Sequence, residues 1–488
     1  MITMSNHNYA LLLAGGQGSR FWPQSRVLEP KQFLSLNKPD SSNKTQAKEE
    51  SLFEQTILRV KPLISPKNIF IATSELYRIQ VLEYANKFKI PFGNIIFEPE
   101  GKNTAPCIGA VCRLINLIDE EAKIAILPCD HLIGDKDKFL SVLNSAFNAC
   151  DDNLVIFGIP PSRPATGYGY IKVKAPGSKR QAPSQKSHYS NIYEVERFTE
   201  KPDLKTAQRF IREKKYFWNS GIFVGPVKLF LEEVNNYSPV IYKQLLQINS
   251  CADIDKAWIK MPFISFDYAV LEKSKRLLMF KAKGLSWSDL GSWQSWDELL
   301  AKDKAGNLLR GDIINLDSRN ITVLGKNHLI ATIGLEDLII VDTPDALLVT
   351  KKDRSEEVKK IVDILKTNKR QEHYFHRTVK RPWGSYTVLD LGTGFKIKLV
   401  EVKPGHSLSL QYHKKRSEHW VVVEGKAKIT KNKKSYCICA NESTYIPASC
   451  VHRLTNTGDS ILKIVEVQTG TYLEEDDIIR IKDDFGRT

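Results

Sequence analysis

Four side chains with metal-binding atoms lie in the last part of the chain: Gln411, His413 and Glu418 within eight positions, and His452 further downstream. Residues two apart on a strand point to the same face, so Gln411 and His413 can face one barrel interior together. Glu418 comes from the neighbouring strand and His452 from a later one, whereas His419 should point to the opposite face as a structural residue. Nitrogen and oxygen ligands that converge from separate strands suit a divalent transition metal with open coordination positions.

A second chemical motif lies at the other end of the chain, in "ALLLAGGQGSRFWPQSR". A buried strand leads into Gly15, Gly16 and Gly18, which let backbone amides approach an anion, and Arg20 and Lys31 supply positive charge. The spacing is neither that of a Walker A loop nor that of the dinucleotide-binding fingerprint. The motif predicts a phosphate loop at the start of a helix, and a tight turn with solvated arginines is the alternative.

Length and composition limit the classes of protein that this sequence can encode. A chain of 488 residues predicts roughly two to four domains, and its 42% hydrophobic and 26% charged residues are ordinary for a soluble globular protein. No apolar run approaches the ~20 residues of a membrane helix, and the N-terminus does not resemble a signal peptide. Eight cysteines without a CxxC pair favour reduced, buried thiols, so we expect a cytoplasmic protein without a membrane partner.

The net charge of +15 and the pI of about 9.2 are compatible with three kinds of ligand. These are nucleic acids, anionic membranes and phosphorylated small molecules. The basic residues are spread along the chain, without a long Lys/Arg block or a recognisable nucleic-acid-binding motif. We therefore predict phosphorylated substrates and no nucleic-acid partner.

The pattern of apolar segments divides the chain into three regions. In residues 1–300, short apolar strands such as "KIAILPCD" alternate with helical patterns such as "APCIGAVCRLINLI", which predicts an α/β region with a mainly parallel sheet. Polar stretches at 37–51 and 175–190 predict loops. Residues 301–374 predict a small β domain and a linking helix, and residues 375–488 predict a compact β-barrel or sandwich.

Short motifs recur in order along the first region. Besides the glycine loop with its Trp-Pro and Lys-Gln-Phe, they are "EPEGKNTAP" (98–106), "LPCDH" (127–131), "GYGYI" (167–171), "FTEKPD" (198–203), "WNSGIF" (218–223), "FDYAVLEK" (266–273) and "WSDLGSW" (287–293). As a set they resemble the sugar-1-phosphate nucleotidyltransferases, and specifically the mannose-1-phosphate guanylyltransferases. The resemblance implies a GT-A-like, Rossmann-type nucleotidyltransferase domain.

The same resemblance implies a reaction and roles for particular residues. In these enzymes mannose 1-phosphate attacks the α-phosphorus of GTP and pyrophosphate leaves, so catalysis rests on positioning and on neutralising charge. By motif position, Asp130 and Asp289 are expected to hold Mg²⁺, and Arg20 and Lys31 to contact the triphosphate. The other residues expected at the site are Glu98 and Thr104 beside the nucleotide, and Gly169, Glu200, Lys201 and Asn219 around the mannose.

The C-terminal region resembles the cupins. "RPWGSY", "RSEHW" and a glutamine in place of the first cupin histidine make it similar to the type II phosphomannose isomerases. The resemblance implies a cupin β-barrel that interconverts mannose 6-phosphate and fructose 6-phosphate, with a metal held by the four side chains named first; Zn²⁺, Co²⁺, Ni²⁺ and Mn²⁺ all suit them. Arg480 and Arg487 match family arginines as phosphate-binding or catalytic candidates, with a surface ion pair as the alternative for Arg480. Lys398 and Glu466 lie on strands expected to line the barrel.

Both resemblances together predict a bifunctional enzyme of GDP-mannose biosynthesis, with the intervening mutase step left to another protein. Three alternatives stay open. The cupin could be only structural or regulatory, the transferase could use a different base or sugar, or the folds could serve a nucleic-acid or polysaccharide-binding protein. A homo-oligomer that packs through the β segment at 305–352 is also compatible with the sequence.

Overall fold

The loops predicted at 37–51 and 175–190 lie outside the part of the chain that the structure describes, apart from Glu50 and Ser51. Ser51 begins the first helix, where its hydroxyl accepts a hydrogen bond from the Glu54 amide. The computed structural model describes residues 6–35, 50–174, 191–325 and 327–484.

The described residues form two compact units. The first comprises Met1–Val341 and Leu348–Thr367, and the second comprises Asp342–Leu347 and Asn368–Thr488. Apolar side chains cover both faces of a large sheet in the first unit and fill a barrel in the second. Each unit therefore has a hydrophobic core of its own.

The central sheet of the first unit is parallel in one half and mixed in the other. The strands described up to residue 300 are β1 (Asn8–Leu13), β2 (Ile69–Ser74), β3 (Ile95–Glu98), β4 (Lys123–Pro128), β5 (Leu132–Ile133), β6 (Leu154–Ile159), β7 (Tyr170–Val173), β8 (Ile192–Thr199), β9 (Tyr216–Pro226), β10 (Leu277–Lys281) and β11 (Trp287–Ser288). Nine of these described strands form the order β3-β2-β1-β4-β9-β6-β10-β8-β7. β1 is parallel to β2 and β4 as predicted, but β9 runs antiparallel to β4 and β6, a direction that the alternation of strands and helices does not encode.

Helices cover both faces of this sheet because its strands are apolar on both sides. In β1, Tyr9 and Leu11 join one buried cluster, whereas Ala10 and Leu12 join the other. No helix in the described ranges combines the length and apolarity needed to cross a membrane. The α-helices described are α1 (Leu52–Val60), α2 (Arg78–Phe88), α3 (Thr104–Asn116), α4 (Lys136–Ala149), α5 (Leu204–Glu213), α6 (Val227–Tyr237), α7 (Pro239–Leu245), α8 (Ile254–Trp258), α9 (Trp293–Asp297) and α10 (Val358–Thr367).

The small β domain predicted after residue 300 consists of short strands, and five of those described pair in parallel. They are β12 (Leu308–Arg310), β13 (Ile313–Leu316), β14 (Thr322–Leu324), β15 (Ile330–Ile333), β16 (Leu338–Thr343) and β17 (Ala346–Lys351). Thr322 pairs in parallel with Leu308 on one side and Ile339 on the other, and Ile313 pairs in parallel with Ile330. Successive coils that stack in parallel form a β-helix.

The second unit is an antiparallel barrel. Its strands are β18 (Thr378–Arg381), β19 (Gly384–Gly392), β20 (Phe395–Val402), β21 (Leu410–His413), β22 (Arg416–Glu424), β23 (Lys426–Lys431), β24 (Lys434–Cys439), β25 (Ser443–Ile446), β26 (His452–Asn456), β27 (Leu462–Gly470) and β28 (Ile478–Lys482). Among these described strands, six form a sheet in the order β18-β19-β20-β27-β22-β25 and five form a sheet in the order β24-β23-β26-β21-β28.

The barrel interior changes from apolar to polar along neighbouring strands. On β20 and β27, Val400 pairs with Ile464, and both are buried. Two residues further along the same face, Lys398 pairs with Glu466, and these are buried as well. A buried lysine opposite a buried glutamate marks this end of the barrel as a functional site rather than a core.

All eight cysteines are free, but they are not all buried as predicted. Cys251, Cys437 and Cys439 are exposed. Cys437 and Cys439 lie two residues apart on β24, so their exposure agrees with their predicted position on one face of a strand.

Candidate active sites

The glycine loop leaves β1 and turns back over Lys31. Gly18 has a φ of 59°, and a Cβ at this position would fall on the Cβ of Lys31, so only glycine fits the turn. A Cβ on Gly16 would meet no atom within 4 Å. The helix predicted after the loop is only a 3₁₀ turn, Ser19–Phe21, because Trp22 precedes a proline and leaves the helical region.

The ammonium group of Lys31 joins the two predicted magnesium ligands. Its Nζ lies 2.7 Å from Oδ2 of Asp130 and donates hydrogen bonds to the backbone carbonyls of Asp289 (2.6 Å) and Leu290 (3.2 Å). The Lys31 side chain is buried, whereas that of Asp130 is 37% exposed. The structure therefore brings Lys31, Asp130 and Asp289 together at one exposed edge, as the motifs predicted.

A two-residue ladder holds the two aspartates at this edge. Asp130 follows the end of β4, and the chain then forms β5, which pairs antiparallel with β11. Ser288 lies opposite Leu132 in this ladder, so Asp289 comes directly after the pairing. The short strands thus join segments that are far apart in sequence, and they place the Asp130 carboxyl group and the Asp289 backbone carbonyl beside Lys31.

Asp289 is further oriented by two hydrogen bonds to one of its oxygens. Oδ1 accepts from the Tyr168 hydroxyl (2.6 Å) and from the Gly291 amide (3.1 Å). Burial, and then the charge of Asp289, raises the pKa of Tyr168 well above its usual range, so the phenol remains a donor at neutral pH. Two donors on one oxygen fix the carboxylate in the manner that a metal ligand requires.

The charge of Asp130 is stabilised by its neighbours. Burial raises the pKa of Asp130, but the charges of Lys31 and His131 and the hydrogen bond from Lys31 outweigh it, so the pKa lies below its ordinary value. His131 Nδ1 accepts a hydrogen bond from Trp287 Nε1 (3.3 Å), and His131 Nε2 lies 3.8 Å from Asp130 Oδ1. Asp130 is therefore ionised at neutral pH, as a magnesium ligand must be.

The two residues predicted beside the nucleotide have different environments. Glu98 ends β3 next to Gly15, whose Cβ would lie 3.7 Å from Glu98 Oε1, and burial raises the pKa of Glu98 to about 7. Thr104 begins α3, and its hydroxyl accepts a hydrogen bond from the Phe266 amide (2.9 Å), which ties the start of this helix to the segment that contains Asp267. Arg20 is exposed beside the glycine loop.

The residues predicted around the mannose form one cluster. A Cβ on Gly169 would lie 2.5 Å from Glu200 Oε2, and Glu200 Oε1 pairs with the Lys201 ammonium group. Asn219 donates its backbone amide to the Gly169 carbonyl (2.8 Å) and its side-chain amide to Asp267 Oδ1 (2.8 Å). Burial, and then the charge of Glu200, raises the pKa of Asp267 to about 7. Two carboxyl groups and an amide thus surround a space lined by glycine, which suits the hydroxyl groups of a sugar.

In the second unit, three of the four predicted metal ligands meet inside the barrel. Nitrogen and oxygen atoms of His413, Glu418 and His452 lie within 4.8 Å of one another. His413 Nε2 is 3.0 Å from Glu418 Oε1, and His452 Nε2 is 3.7 Å from Glu418 Oε2. All three side chains are buried, whereas His419 points outward and is exposed, as predicted.

The two histidines are oriented as metal ligands. His413 Nδ1 lies 3.4 Å from the Asp477 carbonyl, and His452 Nδ1 lies 2.8 Å from the Cys450 carbonyl. A carbonyl only accepts, so each Nδ1 carries the proton and each Nε2 keeps a lone pair. Among the described residues, both buried Nε2 atoms have no hydrogen-bond partner, since the approach of His413 to Glu418 lacks hydrogen-bond geometry. Two orphaned lone pairs beside a carboxylate fit a divalent transition metal.

Glu418 is held as an anion by the groups around it. Arg416 Nε lies 3.2 Å from Oε1, and Trp420 Nε1 donates to Oε2 (3.1 Å). Burial raises the pKa of Glu418, but the electrostatic effects of His413, His452 and Arg416 outweigh it and hold that pKa well below its usual range. The carboxylate is therefore prepared to bind a cation.

The fourth predicted ligand, Gln411, lies beside the other three. It pairs with His452 across the ladder between β21 and β26, and it is buried. Its Oε1 accepts a hydrogen bond from the Ser409 hydroxyl (2.7 Å). The other lone pair of this oxygen can still bind a metal, so the bond to Ser409 orients Gln411 without excluding it as a ligand.

A pocket opens in the barrel beside these ligands. Gln411, Lys398, Glu466 and Arg480 all line it, so the structure brings these predicted residues to the metal-ligand cluster. Lys398 Nζ donates to Glu475 Oε1 (2.7 Å), another residue of the lining. The remaining candidate, residue 487, lies outside the described part of the chain.

Comparison with known proteins identifies the family. Residues 9–306 match the family model described as "Nucleotidyl transferase". Over 488 residues the chain is 40% identical to a protein of Salmonella muenchen named "Mannose-1-phosphate guanylyltransferase", and the alignment covers 98% of each chain. The chain belongs to the mannose-1-phosphate guanylyltransferase family. It is therefore an enzyme of the nucleotidyltransferase class.

Further relatives extend the match along the whole chain. The "Alginate biosynthesis protein AlgA" of Pseudomonas aeruginosa is 39% identical over 487 residues, which covers 98% of this chain and 97% of that one. A crystal structure described as a mannose-1-phosphate geranyltransferase from Thermus thermophilus has a TM-score of 0.64 and 28% identity, and covers 74% of this chain and 99% of that chain. Residues 311–365 match "MannoseP isomerase/GMP-like beta-helix domain", and residues 368–483 match "Mannose-6-phosphate isomerase C-terminal".

Three residues of the first site were not predicted from the sequence: His131, Tyr168 and Asp267. Asp267 and His131 lie within recognised motifs, "FDYAVLEK" and "LPCDH", so a systematic examination of every polar residue in the motifs would have included them. Tyr168 likewise lies in "GYGYI". Arg416 lies in the basic run 414–416, which suits either a solvated turn or a contact with a sugar phosphate, and its burial and its distance of 3.2 Å from Glu418 show that it faces the metal-ligand cluster.

Proposed function

We propose that this chain transfers GMP from GTP to mannose 1-phosphate, giving GDP-mannose and pyrophosphate. The observation that supports the proposal best is the position of Lys31 between Asp130 and Asp289. A cation bound to one of these carboxyl groups and to the backbone of the residue that carries the other, next to a loop of exposed amides, supplies the fixed charges that phosphoryl transfer needs. The relatives named for guanylyl transfer support the choice of substrates.

Asp130 and Asp289 would hold Mg²⁺, because carboxylate oxygens are the donors that Mg²⁺ prefers. When bound, the ion would neutralise charge between the α-phosphate and the attacking phosphate. Lys31 would share Asp130 with the ion and supply a further positive charge beside the triphosphate. Tyr168 would keep Asp289 in the orientation for binding through its hydrogen bond to Oδ1.

The remaining predicted residues would bind the two substrates. The amides of Gly15, Gly16 and Gly18, with Arg20, would contact the triphosphate, and Glu98 and Thr104 would border the nucleoside. Hydrogen bonds to the mannose hydroxyls would come from a separate cluster, in which Gly169 leaves space for the sugar because it has no side chain. The members of this cluster are Gly169, Glu200, Lys201, Asn219 and Asp267.

Pyrophosphate release tests this transferase activity. We expect turnover with GTP and mannose 1-phosphate in the presence of Mg²⁺, and a loss of about 10²-fold or more in Asp130→Asn and Asp289→Asn. Asp152→Asn, at an exposed position, is the matched control. A preference for UTP or dTTP would refute the choice of base, and full activity in both site variants would refute the metal-binding role.

We infer that the barrel isomerises mannose 6-phosphate and fructose 6-phosphate. The observation that favours this second activity is the pair of orphaned Nε2 atoms of His413 and His452 beside Glu418. These residues, with Gln411, would hold Zn²⁺, Co²⁺, Ni²⁺ or Mn²⁺, and the bound ion would stabilise negative charge on the sugar oxygens. Arg480 in the pocket, and Arg487, would bind the 6-phosphate.

Isomerase turnover with and without a chelator tests the second activity. We expect fructose 6-phosphate to form from mannose 6-phosphate only when metal is present, and turnover to be lost in His413→Ala and Glu418→Ala. His419→Ala is the control, because His419 is adjacent in sequence but exposed on the opposite face. Absence of turnover in metal-supplied wild type with intact guanylyl transfer would leave the alternative, a guanylyltransferase with a structural or regulatory cupin.

The proposal includes the organisation of the chain and its surroundings. We place the transferase domain at 1–300, the small β domain with its linking helix at 301–374, and the cupin at 375–488. The three adjoining family matches support these boundaries. The protein would act in the cytoplasm on free sugar phosphates, without nucleic acid or membrane, and a homo-oligomer remains compatible with it.

A further inference from the structure

Glu466 is a buried carboxyl group that neither the predicted metal site nor phosphate binding uses. It lies near the middle of β27, where its neighbours across the sheet are Lys398 on β20 and Trp420 on β22. Its side chain lines the same pocket as the metal ligand Glu418. A buried, ionisable group in a pocket with a metal-ligand cluster is a candidate for acid–base chemistry.

Two donors hold Glu466 beside Glu418 without placing it among the ligands. Trp420 Nε1 donates to Oε2 of both carboxyl groups, at 3.1 Å in each case. Gln468 Nε2 lies 2.7 Å from Glu466 Oε1 and 3.3 Å from Glu418 Oε1. Because the two carboxyl groups share both donors, they are a few ångströms apart and fixed relative to each other. A substrate that reaches the metal would therefore lie within reach of Glu466.

The other ionisable groups of the pocket are less suited to exchange a proton. Lys398 is paired with Glu475 at 2.7 Å; burial lowers the pKa of this lysine, but the charges of Glu475 and Glu466 raise it above its ordinary value. The same pairing with Lys398 outweighs burial and lowers the pKa of Glu475. Lys398 and Glu475 are thus paired with each other, whereas Glu466 accepts hydrogen bonds from two neutral donors, Trp420 and Gln468, and its carboxyl group lines the pocket where it can exchange a proton.

We propose that Glu466 is the catalytic residue that moves the proton between C2 and C1 of the sugar phosphate. The inference rests on the isomerase activity proposed above. The Glu466 carboxylate takes the proton from C2 of the open-chain aldose, the C2–H electron pair forms the C1–C2 double bond, and the C1 carbonyl oxygen becomes negatively charged. The Glu466 carboxyl then returns the proton to C1, the double-bond pair forms the C1–H bond, and the hydroxyl proton moves from O2 to O1 to leave the C2 ketone.

Isomerisation in D₂O tests this role. Full-length, metal-loaded wild type, Glu466→Gln and Glu466→Asp are incubated with mannose 6-phosphate, and both product formation and deuterium at C1 and C2 are measured. Glu466→Gln preserves the shape of the side chain and can still accept a hydrogen bond from Trp420. Glu466→Asp keeps the carboxyl group but moves it away from the pocket, because the side chain is shorter. Glu401→Gln is the matched control, because Glu401 lies on the neighbouring strand β20 and outside the pocket. Bound metal and guanylyl transfer are measured for every variant.

We expect Glu466→Gln to lose about 10²-fold to 10⁴-fold in isomerisation and deuterium exchange, with wild-type metal content and guanylyl transfer. Glu466→Asp should fall between Glu466→Gln and the wild type. If the wild type turns over and the isomerisation rate of Glu466→Gln lies within threefold of the wild-type rate, the role of Glu466 is overturned while the isomerase function stands. Loss of bound metal in both variants would also overturn it, since the residue would then be structural. A metal-loaded wild type without turnover would overturn the isomerase function itself.

Discussion

Lys352 Nζ lies 2.8 Å from Oδ2 of Asp297, and this ion pair joins the end of the β-helix segment to the helix that follows the Asp289 motif. Lys302 also lies 2.8 Å from the same oxygen. The buried Asp297 carboxylate thus has two cations, and the Thr322 hydroxyl donates to its other oxygen. Asp297 therefore fastens α9, and with it the end of the transferase motif, to the coils of the β-helix.

We expect Lys352→Met to lower the free energy of unfolding of the first unit by about 1–3 kcal/mol, because it leaves a buried carboxylate with one cation fewer. Thermal and chemical denaturation of the full chain would measure it. Lys351→Met, at the exposed neighbouring position, should change stability by less than about 0.5 kcal/mol. Equal free energies of unfolding for the two variants would mean that Lys352 does not stabilise the buried Asp297 carboxylate. In an Asp297→Asn background, Lys352→Met should lower the free energy of unfolding by less than it does in the wild type.

Gly18→Ala should abolish guanylyl transfer and leave isomerase turnover unchanged. Its Cβ would collide with the Cβ of Lys31 in a left-handed conformation, so the loop and the cation that joins Asp130 to Asp289 cannot both keep their positions. Gly93→Ala is a suitable control, because no atom lies within 4 Å of the added Cβ. Measuring both activities on one preparation separates a local effect from general unfolding. Wild-type transfer in Gly18→Ala would show that the close approach to Lys31 is unimportant.

The half-buried Asp267 should make stability depend on pH between about pH 4 and pH 7. Its pKa of about 7 in the folded protein exceeds the ~3.9 of an unfolded aspartate, so the folded state binds the proton more tightly. The stability that this proton provides is complete below about pH 4 and is lost as the pH rises to about 7. Asp267→Asn cannot ionise, so its stability relative to wild type should increase across this window and then level off.

Urea unfolding of wild type and Asp267→Asn at several pH values between 4 and 8 would measure this difference. Asp152→Asn, at an exposed position, should show no comparable trend. A stability difference that stays constant with pH would mean that Asp267 is ionised throughout and that its neighbours compensate its burial.

Metal should stabilise the second unit through His413 and His452. A ligand that binds only the folded state at one hundred times its dissociation constant adds about 2.7 kcal/mol, so the thermal midpoint should rise by several degrees when metal is supplied. Zn²⁺, Co²⁺, Ni²⁺ and Mn²⁺ can each be tested by scanning fluorimetry after treatment with a chelator. The shift should vanish in His413→Ala and persist in His419→Ala. An equal shift in both variants would place the bound metal elsewhere.

The motifs predicted which residues meet, but not how they are held. Lys31, Asp130 and Asp289 were expected at one site, and the structure brings them together. The expectation that a helix follows the glycine loop was wrong, because the residue before the proline leaves the helical region. That local constraint is visible in the sequence and could have been applied.

The contribution of Asp267 could not be predicted from spacing. Its partner Asn219 lies 48 residues away, and only the antiparallel entry of β9 into the sheet brings the two side chains together. In the barrel, by contrast, the alternation of β21 and β22 predicted correctly that His413 and Glu418 face inward and His419 outward. Local periodicity determines the face of a residue, whereas the tertiary pairing of strands determines its partner.

The contact between Lys31 and the Asp289 carbonyl spans 258 residues of sequence, whereas His413 and His452 are separated by fewer than forty. During synthesis the ribosome must therefore release almost the whole first domain before Lys31 can contact both Asp130 and Asp289, although the glycine loop emerges among the first segments. The barrel ligands can assemble soon after β26 has left the exit tunnel. The candidate site encoded first along the gene is thus the one whose side chains must wait longest for their partners in the nascent chain.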